Sequence, residues 1–249
     1  MIPTLKVATA ALVLLAFAAP AATYAADPSP ASSPFVCNDG TSDCAGPISA
    51  GDHASVHFDR PFTFTLPDDT WTNVNDRYRA YELRSTKAPD SEFIVWSHAA
   101  PEAQTADCSP AREPGYGVMT ADWLDYLAHN PGLDVSAPVT ADLGGRTLTS
   151  VSLTVKPTWT AMCEGNTEPV VLLVTDSETP PTRSHLHGPG DPAWMGFVDV
   201  GDEAVVIWVD TVPGVPYADM QALVQPVISS IRFADPAPES AAPSASAAP

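Results

Sequence analysis

The pattern of apolar and polar residues predicts a chain built mainly from β-strands. The segment Phe62–Leu66 alternates apolar and polar side chains, which is typical of a strand with one buried face. Two other segments, Val170–Val174 and Ala204–Val209, are apolar at every position. A strand with one face in water alternates, so we expect both faces of these two segments to be covered.

Turn and helix signals organise the rest of the chain. Gly144-Gly145 and Gly201-Asp202 each separate two strand-like runs and predict β-hairpins. A first helix is predicted with Thr120 as its N-cap residue, and a second lies near the C-terminus. The second has six apolar residues at helical spacing, Met220, Leu223, Val224, Val227, Ile228 and Ile231. These elements predict an α+β fold, with an antiparallel sheet layered between helices or long loops.

Two segments resemble a known family. Phe62-Thr-Phe-Thr-Leu-Pro-Asp-Asp-Thr-Trp71 near the start, and a helix running into Ser230-Ile-Arg-Phe233 at the end, are similar to the PsbP-like superfamily, which is named for an extrinsic subunit of photosystem II. Exported proteins of GC-rich Gram-positive bacteria share this arrangement. The resemblance spans roughly residues 60–233.

The resemblance implies a mainly antiparallel sheet of about six or seven strands in an α/β/α sandwich. Most members of the superfamily are non-catalytic partners of larger assemblies or bind other proteins. Because the superfamily shares no catalytic set, the resemblance assigns no site residue to this chain.

The two ends of the chain differ in composition from its centre. Residues 1–26 contain one charge, Lys6, then the apolar run Val7–Ala19 and an A-x-A-like end, which is the pattern of a secretory signal peptide. Residues 27–34 form a Pro/Ser-rich lead-in. Residues 234–249 are nearly all Ala, Pro or Ser and are expected to be disordered, because they cannot bury enough apolar surface. Residues 35–233 are then a single PsbP-like domain of a secreted, extracellular protein, with no integral membrane segment after processing.

Charge limits the possible partners. The 249 residues include 30 Asp and Glu but only 11 Lys and Arg, for a formal net charge of −19. A nucleic-acid backbone would repel such a chain, so nucleic acid is not expected as a partner. Basic or neutral partners are favoured, through an attraction that salt weakens.

Four cysteines, Cys37, Cys44, Cys108 and Cys163, lie in the part predicted to be exported. An even number in an oxidising compartment predicts two disulfides. Four cysteines allow three pairings, and spacing alone does not choose among them. We favour Cys37–Cys44 as a local link and Cys108–Cys163 as a link between two long polar loops.

The standard motifs of catalysis do not occur in the sequence. It contains no G-x-S-x-G elbow, no phosphate-binding loop, no H-E-x-x-H pair and no dinucleotide-binding turn. We therefore expect no cofactor and favour a non-catalytic protein over an enzyme.

Two groups of histidines are candidates for metal ligands. His185 and His187 would lie on one side of an extended segment, and Asp191 could return across a Gly-Pro-Gly turn as a third ligand. The competing interpretation, a polar loop in which two histidines are close in sequence, is favoured. His53 and His57, with Asp52 and Asp59, form a weaker group, and its histidines are assigned to the solvated surface.

Two tryptophans are candidates for partner binding. Trp159 and Trp194 lie in loop-like segments, and Met195 follows Trp194. An exposed Trp beside a Met is typical of a binding patch, whereas the alternative is that these side chains cover the sheet.

The sequence therefore predicts a secreted, non-catalytic binding or accessory domain that acts on an unidentified protein or cell-envelope component. The alternative is an extracellular hydrolase or metal-dependent enzyme whose residues are scattered along the chain. A deep pocket where histidine and carboxylate meet would favour the enzyme, and an exposed Trp/Met patch on a shallow surface would favour the binding domain.

Peptide mapping without reduction tests the cysteine assignment. We expect linked peptides for Cys37–Cys44 and Cys108–Cys163 and no free thiol, because an oxidising compartment favours paired cysteines. Four alkylated cysteines would contradict the assignment.

Overall fold

The computed structural model describes residues 45–164, 166–176, 184–189, 192–211 and 215–234. The predicted signal peptide, the lead-in, the tail beyond Ala234, both Cys37 and Cys44, and Asp191 lie outside the described residues. Within the described part of the chain, no helix combines the length and the apolar character needed to cross a membrane.

Fifteen strands and two helices are found in the described residues. In chain order they are β1 (Gly46–Ile48), β2 (Gly51–Ala54), β3 (Phe62–Leu66), β4 (Trp71–Arg77), β5 (Ala80–Ser85), β6 (Ala88–Trp96), β7 (Ala99–Pro101), α1 (Thr120–His129), β8 (Leu133–Val135), β9 (Val139–Leu143), β10 (Arg146–Val155), β11 (Val171–Asp176), β12 (Ser184–His187), β13 (Ala193–Val200), β14 (Glu203–Asp210), α2 (Tyr217–Ser230) and β15 (Arg232–Phe233).

Nine of these strands form one antiparallel sheet. Its spatial order is β1-β4-β5-β6-β14-β13-β10-β8, and β9 also pairs with β10. The predicted α+β class with a mainly antiparallel sheet is confirmed. The sheet has nine strands rather than six or seven because the short strands β1, β8 and β9 are added to a set of six longer ones.

Strand β14 lies in the interior of this sheet and is covered on both faces, as its apolar run predicts. Val205, Ile207 and Val209 face one core, which α2 and β3 complete. Alternate residues of β14 face the other core, which α1 and β11 complete. Ile207 has no exposed surface. The main sheet is therefore a middle layer with cover above and below.

Each cover combines one helix with a small three-stranded sheet. On one face α2 lies with the sheet β15-β3-β2, where β3 has the predicted alternation of buried and exposed residues. On the other face α1 lies with the sheet β12-β11-β7. The Tyr126 hydroxyl of α1 lies 2.9 Å from the carbonyl oxygens of Glu102 and Leu172, which connects the helix to this small sheet.

Strand β11 belongs to the second cover rather than to the main sheet, and both of its faces are buried. Val171 and Leu173 face the core beside α1, whereas Leu172 packs with Val170 and Cys163. The predicted disulfide between Cys108 and Cys163 is present, with 5.3 Å between the Cα atoms. The disulfide therefore helps to cover the outer face of β11, which the core beside α1 does not cover.

Both predicted hairpins form at their glycines. Gly144 and Gly145, between β9 and β10, have φ angles of 63° and 85°, and Gly201, between β13 and β14, has φ 73°. Two-residue turns that match the twist of paired strands need positive φ, which glycine adopts at no steric cost. The second hairpin places Glu203 at the start of β14.

Replacing Ile207 with alanine tests the doubly buried strand. Because Ile207 has no exposed surface, we expect Ile207→Ala to lower the free energy of unfolding by about 3 kcal/mol, as in other buried large-to-small changes. Val139→Ala is the control, since Val139 is 64% exposed, and its effect should stay within about 0.5 kcal/mol. Urea unfolding measures both; equal effects would contradict the architecture.

Candidate functional site

A cavity of about 300 Å³ lies between the main sheet and its second cover. Its floor includes side chains from β4, β5 and β6, and its roof includes residues from β11 and β12. Ile94 and Trp96 supply the apolar part of the floor, while Asp176 and His185 lie in the roof. The volume is at the lower end of the range for small-molecule sites.

The floor carries charged side chains of both signs. Arg77 and Arg79 line the cavity together with Glu82 and Glu92. The guanidinium of Arg84 lies 2.9 Å from Glu82 and 3.3 Å from Glu92, so it bridges the two carboxylates. A ligand in this cavity would meet cationic, anionic and aromatic groups within one small volume.

The electrostatic state of Glu92 reflects its position. Burial raises the pKa of its carboxyl group, and the nearby Glu82 and Asp210 raise it further, whereas Arg84 opposes the shift. The strand register explains the proximity, because Glu92 pairs directly with Asp210 at the end of β14. A cationic group entering the cavity would favour the ionised form of Glu92.

The imidazole of His185 lies between two indole rings. Its ring centre is 4.9 Å from that of Trp96 and 4.8 Å from that of Trp208. Burial lowers the pKa of His185 to about 4; Asp210 opposes this shift and His187 adds to it. His185 is therefore neutral near pH 7, and its Nε2 has no hydrogen-bond partner among the described residues.

Three ionisable side chains, here called the rim cluster, meet at one end of the cavity: Asp59, His98 and Glu203. His98 lines the cavity, and its Nε2 lies 2.5 Å from Asp59 Oδ2. Its Nδ1 lies 3.3 Å from Glu203 Oε2, and its backbone N–H donates to the same oxygen at 2.9 Å. Both carboxylates are buried, with 6% and 5% of their side-chain surface exposed.

Neighbouring groups hold the rim cluster in place. The Ser97 hydroxyl donates to Asp59 Oδ1, and Arg60 Nε donates to Glu203 Oε1 at 3.0 Å. The phenol ring of Tyr78 stacks on the His98 imidazole with 5.7 Å between ring centres. Each carboxylate therefore has one oxygen held by an outer partner and the other facing His98.

The rim cluster comes from three distant parts of the sequence. Asp59 lies in the connection between β2 and β3, His98 in the turn between β6 and β7, and Glu203 at the start of β14. Positions 39 and 105 residues apart share no local pattern, so the sequence does not predict the cluster. Of the two histidines predicted at the surface, His57 is exposed. The prediction for His53 is wrong, because His53 is buried and lies 2.8 Å from the Ser49 carbonyl oxygen.

The histidines of the other predicted metal group lie on β12. His185 and His187 both contact the Trp208 ring, with ring centres 4.8 Å and 5.4 Å away, so they are on one side of the strand as expected. His187 Nδ1 lies 3.6 Å from Asp210 Oδ2. The third candidate ligand, Asp191, is outside the described residues, and a metal site here stays the less favoured alternative.

The three side chains proposed for partner binding do not share one exposed surface. Met195 has no exposed surface and packs in the core beside α1. Trp159 packs against the same core and its Nε1 donates to the Val170 carbonyl oxygen at 2.8 Å. Trp194 packs against the core on the opposite face, beside α2. The expected Trp/Met patch is therefore wrong, because side chains of consecutive strand residues point to opposite faces. A role in partner binding for Trp159 or for Trp194 alone remains a prediction.

The chain is an α+β protein with a mainly antiparallel sheet, and comparison with known proteins adds no family to this class. No protein-family profile and no curated protein matches the chain. Four solved chains match, among them the solution structure of cyanobacterial PsbP (CyanoP) from Synechocystis sp. PCC 6803. That match has 13% identity and a TM-score of 0.37, and it covers 74% of this chain and 94% of that chain. A TM-score this low does not establish a common fold, so membership of the PsbP-like superfamily remains a prediction.

The buried imidazole of His185 gives a testable pH dependence. An unfolded histidine has a pKa near 6.5, against about 4 for folded His185. Between these values only the unfolded chain takes up the proton, so the free energy of unfolding should fall as pH falls through this window. We expect a shallower pH slope for His185→Gln than for wild type, measured by urea unfolding from pH 7 to pH 4. Identical slopes would contradict the assignment.

Proposed function

We propose that this protein is an exported, non-catalytic binding domain whose cavity receives one group of a protein or cell-envelope partner. The observation that carries the proposal is the cavity of about 300 Å³, in which Trp96 lies among charged side chains of both signs. An indole and charged groups within one concavity favour recognition of an amphipathic group, such as a side chain or a headgroup.

The arrangement around His98 favours binding over hydrolysis. A hydrolytic triad needs a hydroxyl or thiol hydrogen-bonded to a histidine that acts as a base. Here the Ser97 hydroxyl donates to Asp59, and each ring nitrogen of His98 faces a carboxylate. Among the described residues of the rim cluster, no nucleophile is therefore placed against the imidazole.

An extracellular hydrolase or metal-dependent enzyme is the second candidate, and two observations favour it. A histidine and a carboxylate do meet at a pocket, since His98 contacts Asp59 where it lines the cavity. The exposed Trp/Met patch that would favour a binding domain is not formed, because Met195 has no exposed surface. Rearrangement of His98 toward the cavity would be required for it to act as a base, because Asp59 and Glu203 now occupy both of its nitrogens.

Two features support an extracellular location within this proposal. The first 26 residues have the pattern of a signal peptide, and the Cys108–Cys163 disulfide is of the kind that persists in oxidising compartments. The net charge of −19 favours a partner whose surface is basic or neutral.

Site-specific photo-cross-linking tests the cavity as the binding site. A photoreactive residue in place of Arg79, which lines the cavity, should form an adduct with one partner when the exported protein meets intact cells. The same residue in place of the exposed Val139, on edge strand β9, is the matched control and should form none. Trp96→Ala should abolish the adduct at position 79, because it removes the indole from the cavity. Equal labelling at both positions, or an adduct that survives Trp96→Ala, would contradict the proposal.

A further inference from the structure

We infer that the rim cluster, Asp59, His98 and Glu203, binds a divalent metal ion, and that its donor set fits zinc. One imidazole nitrogen and two carboxylate oxygens are donors that zinc accepts in proteins. The inference goes beyond a partner-binding cavity and does not depend on it.

The geometry brings three ligand atoms around one point. One ligand atom from each of the three residues lies within 4.8 Å of the other two. Donors about 2.1 Å from a tetrahedral zinc ion are about 3.4 Å apart. The 2.5 Å separation of His98 Nε2 and Asp59 Oδ2 would therefore have to open by about 1 Å, a small adjustment for side chains.

The partners around the cluster match the requirements of a metal site. Ligating carboxylates are held in orientation by hydrogen bonds to their other oxygen, which fixes the ligand and tunes its basicity. Ser97 supplies this bond to Asp59, and Arg60 supplies it to Glu203. The oxygens nearest the imidazole are Asp59 Oδ2, which faces Nε2, and Glu203 Oε2, which faces Nδ1 and also accepts the His98 backbone N–H. Because an ion binds one ring nitrogen, one of the two carboxylates has to turn toward it.

The charges of the cluster leave room for a divalent ion. Three carboxylates, those of Asp59, Asp202 and Glu203, contact the guanidinium of Arg60 at 3.9, 3.2 and 3.0 Å. Two of the three are buried, where an unbalanced negative charge is costly. A divalent ion bound through a neutral imidazole brings the three carboxylates and Arg60 to a net charge of zero. Asp202 is 92% exposed, so for the two buried carboxylates and Arg60 alone a single proton on His98 also balances the charge.

The ion has a route of entry. His98 is 27% exposed and lines the cavity, so the cluster is open to solvent on that side. Protons compete with a metal ion for imidazole nitrogen and carboxylate oxygen, so zinc affinity should fall as the solution becomes more acidic.

Isothermal titration of the untagged, EDTA-treated protein with zinc chloride tests the inference. We expect one zinc ion per chain in the wild type, with a higher melting temperature in the presence of zinc. Asp59→Asn, His98→Gln and Glu203→Gln should each abolish this binding. Ser97→Ala keeps all three ligands and should weaken zinc about tenfold, as loss of an outer partner does.

Two control variants distinguish the rim cluster from other histidines. His129 forms an exposed pair with Asp125 at 3.2 Å. This pair has no third ligand among the residues that the structure describes, so His129→Gln should leave binding unchanged. His187→Gln tests the group on β12 and should also leave binding unchanged. Absence of zinc binding in the wild type would overturn the inference, as would loss in His187→Gln together with retention in Asp59→Asn. If a ligand variant does not fold by circular dichroism, Ser97→Ala and the stoichiometry of zinc binding to the wild type decide.

Discussion

The structure depends on burying strand β14 on both faces. An apolar strand in the interior of a sheet needs a covering layer on each side, and α2 with β3 and α1 with β11 supply the two layers. The same constraint acts on the ends of the strand, where the first and last residues are acidic. Glu203 and Asp210 begin and end β14. Because they lie beside an apolar core, their carboxylates need hydrogen-bond or ionic partners. The rim cluster forms around the first, and Glu92 with His187 lies near the second.

The second cover explains why a cavity exists on only part of this face. Helix α1 and strand β11 pack against β13 and β14, where the main sheet presents apolar side chains. Over β4 and β5 the sheet presents Asn75, Glu82 and Arg84 instead, which cannot be packed against apolar groups without loss of hydration. The space above these polar residues is therefore left open to solvent and forms the cavity.

Local sequence patterns predicted those parts of the fold in which burial or backbone conformation directly restricts the residue type. The continuous apolar run Ala204–Val209 predicted a doubly buried strand, and Gly144-Gly145 predicted a hairpin, because burial and positive φ constrain residue type directly. The rim cluster depends on which strands become neighbours, and no local pattern encodes that. The Trp/Met patch failed for a related reason: Trp194 and Met195 looked like loop residues, but they lie in β13 and point to opposite faces.

The positions of the basic residues also point to the region of the cavity and the rim cluster. The chain has only 11 Lys and Arg against 30 Asp and Glu, so most carboxylates have no basic partner available and must stay in water. Four of the 11 nevertheless lie at the cavity or the rim cluster: Arg60, Arg77, Arg79 and Arg84. Single exposed ion pairs contribute little stability. Arg60 and Arg84 instead contact carboxylates with little or partial exposure, Glu203, Glu82 and Glu92. Bases thus accompany the withdrawn acids in this region, whereas the buried Asp76 is held by the backbone N–H groups of Val56 and His57.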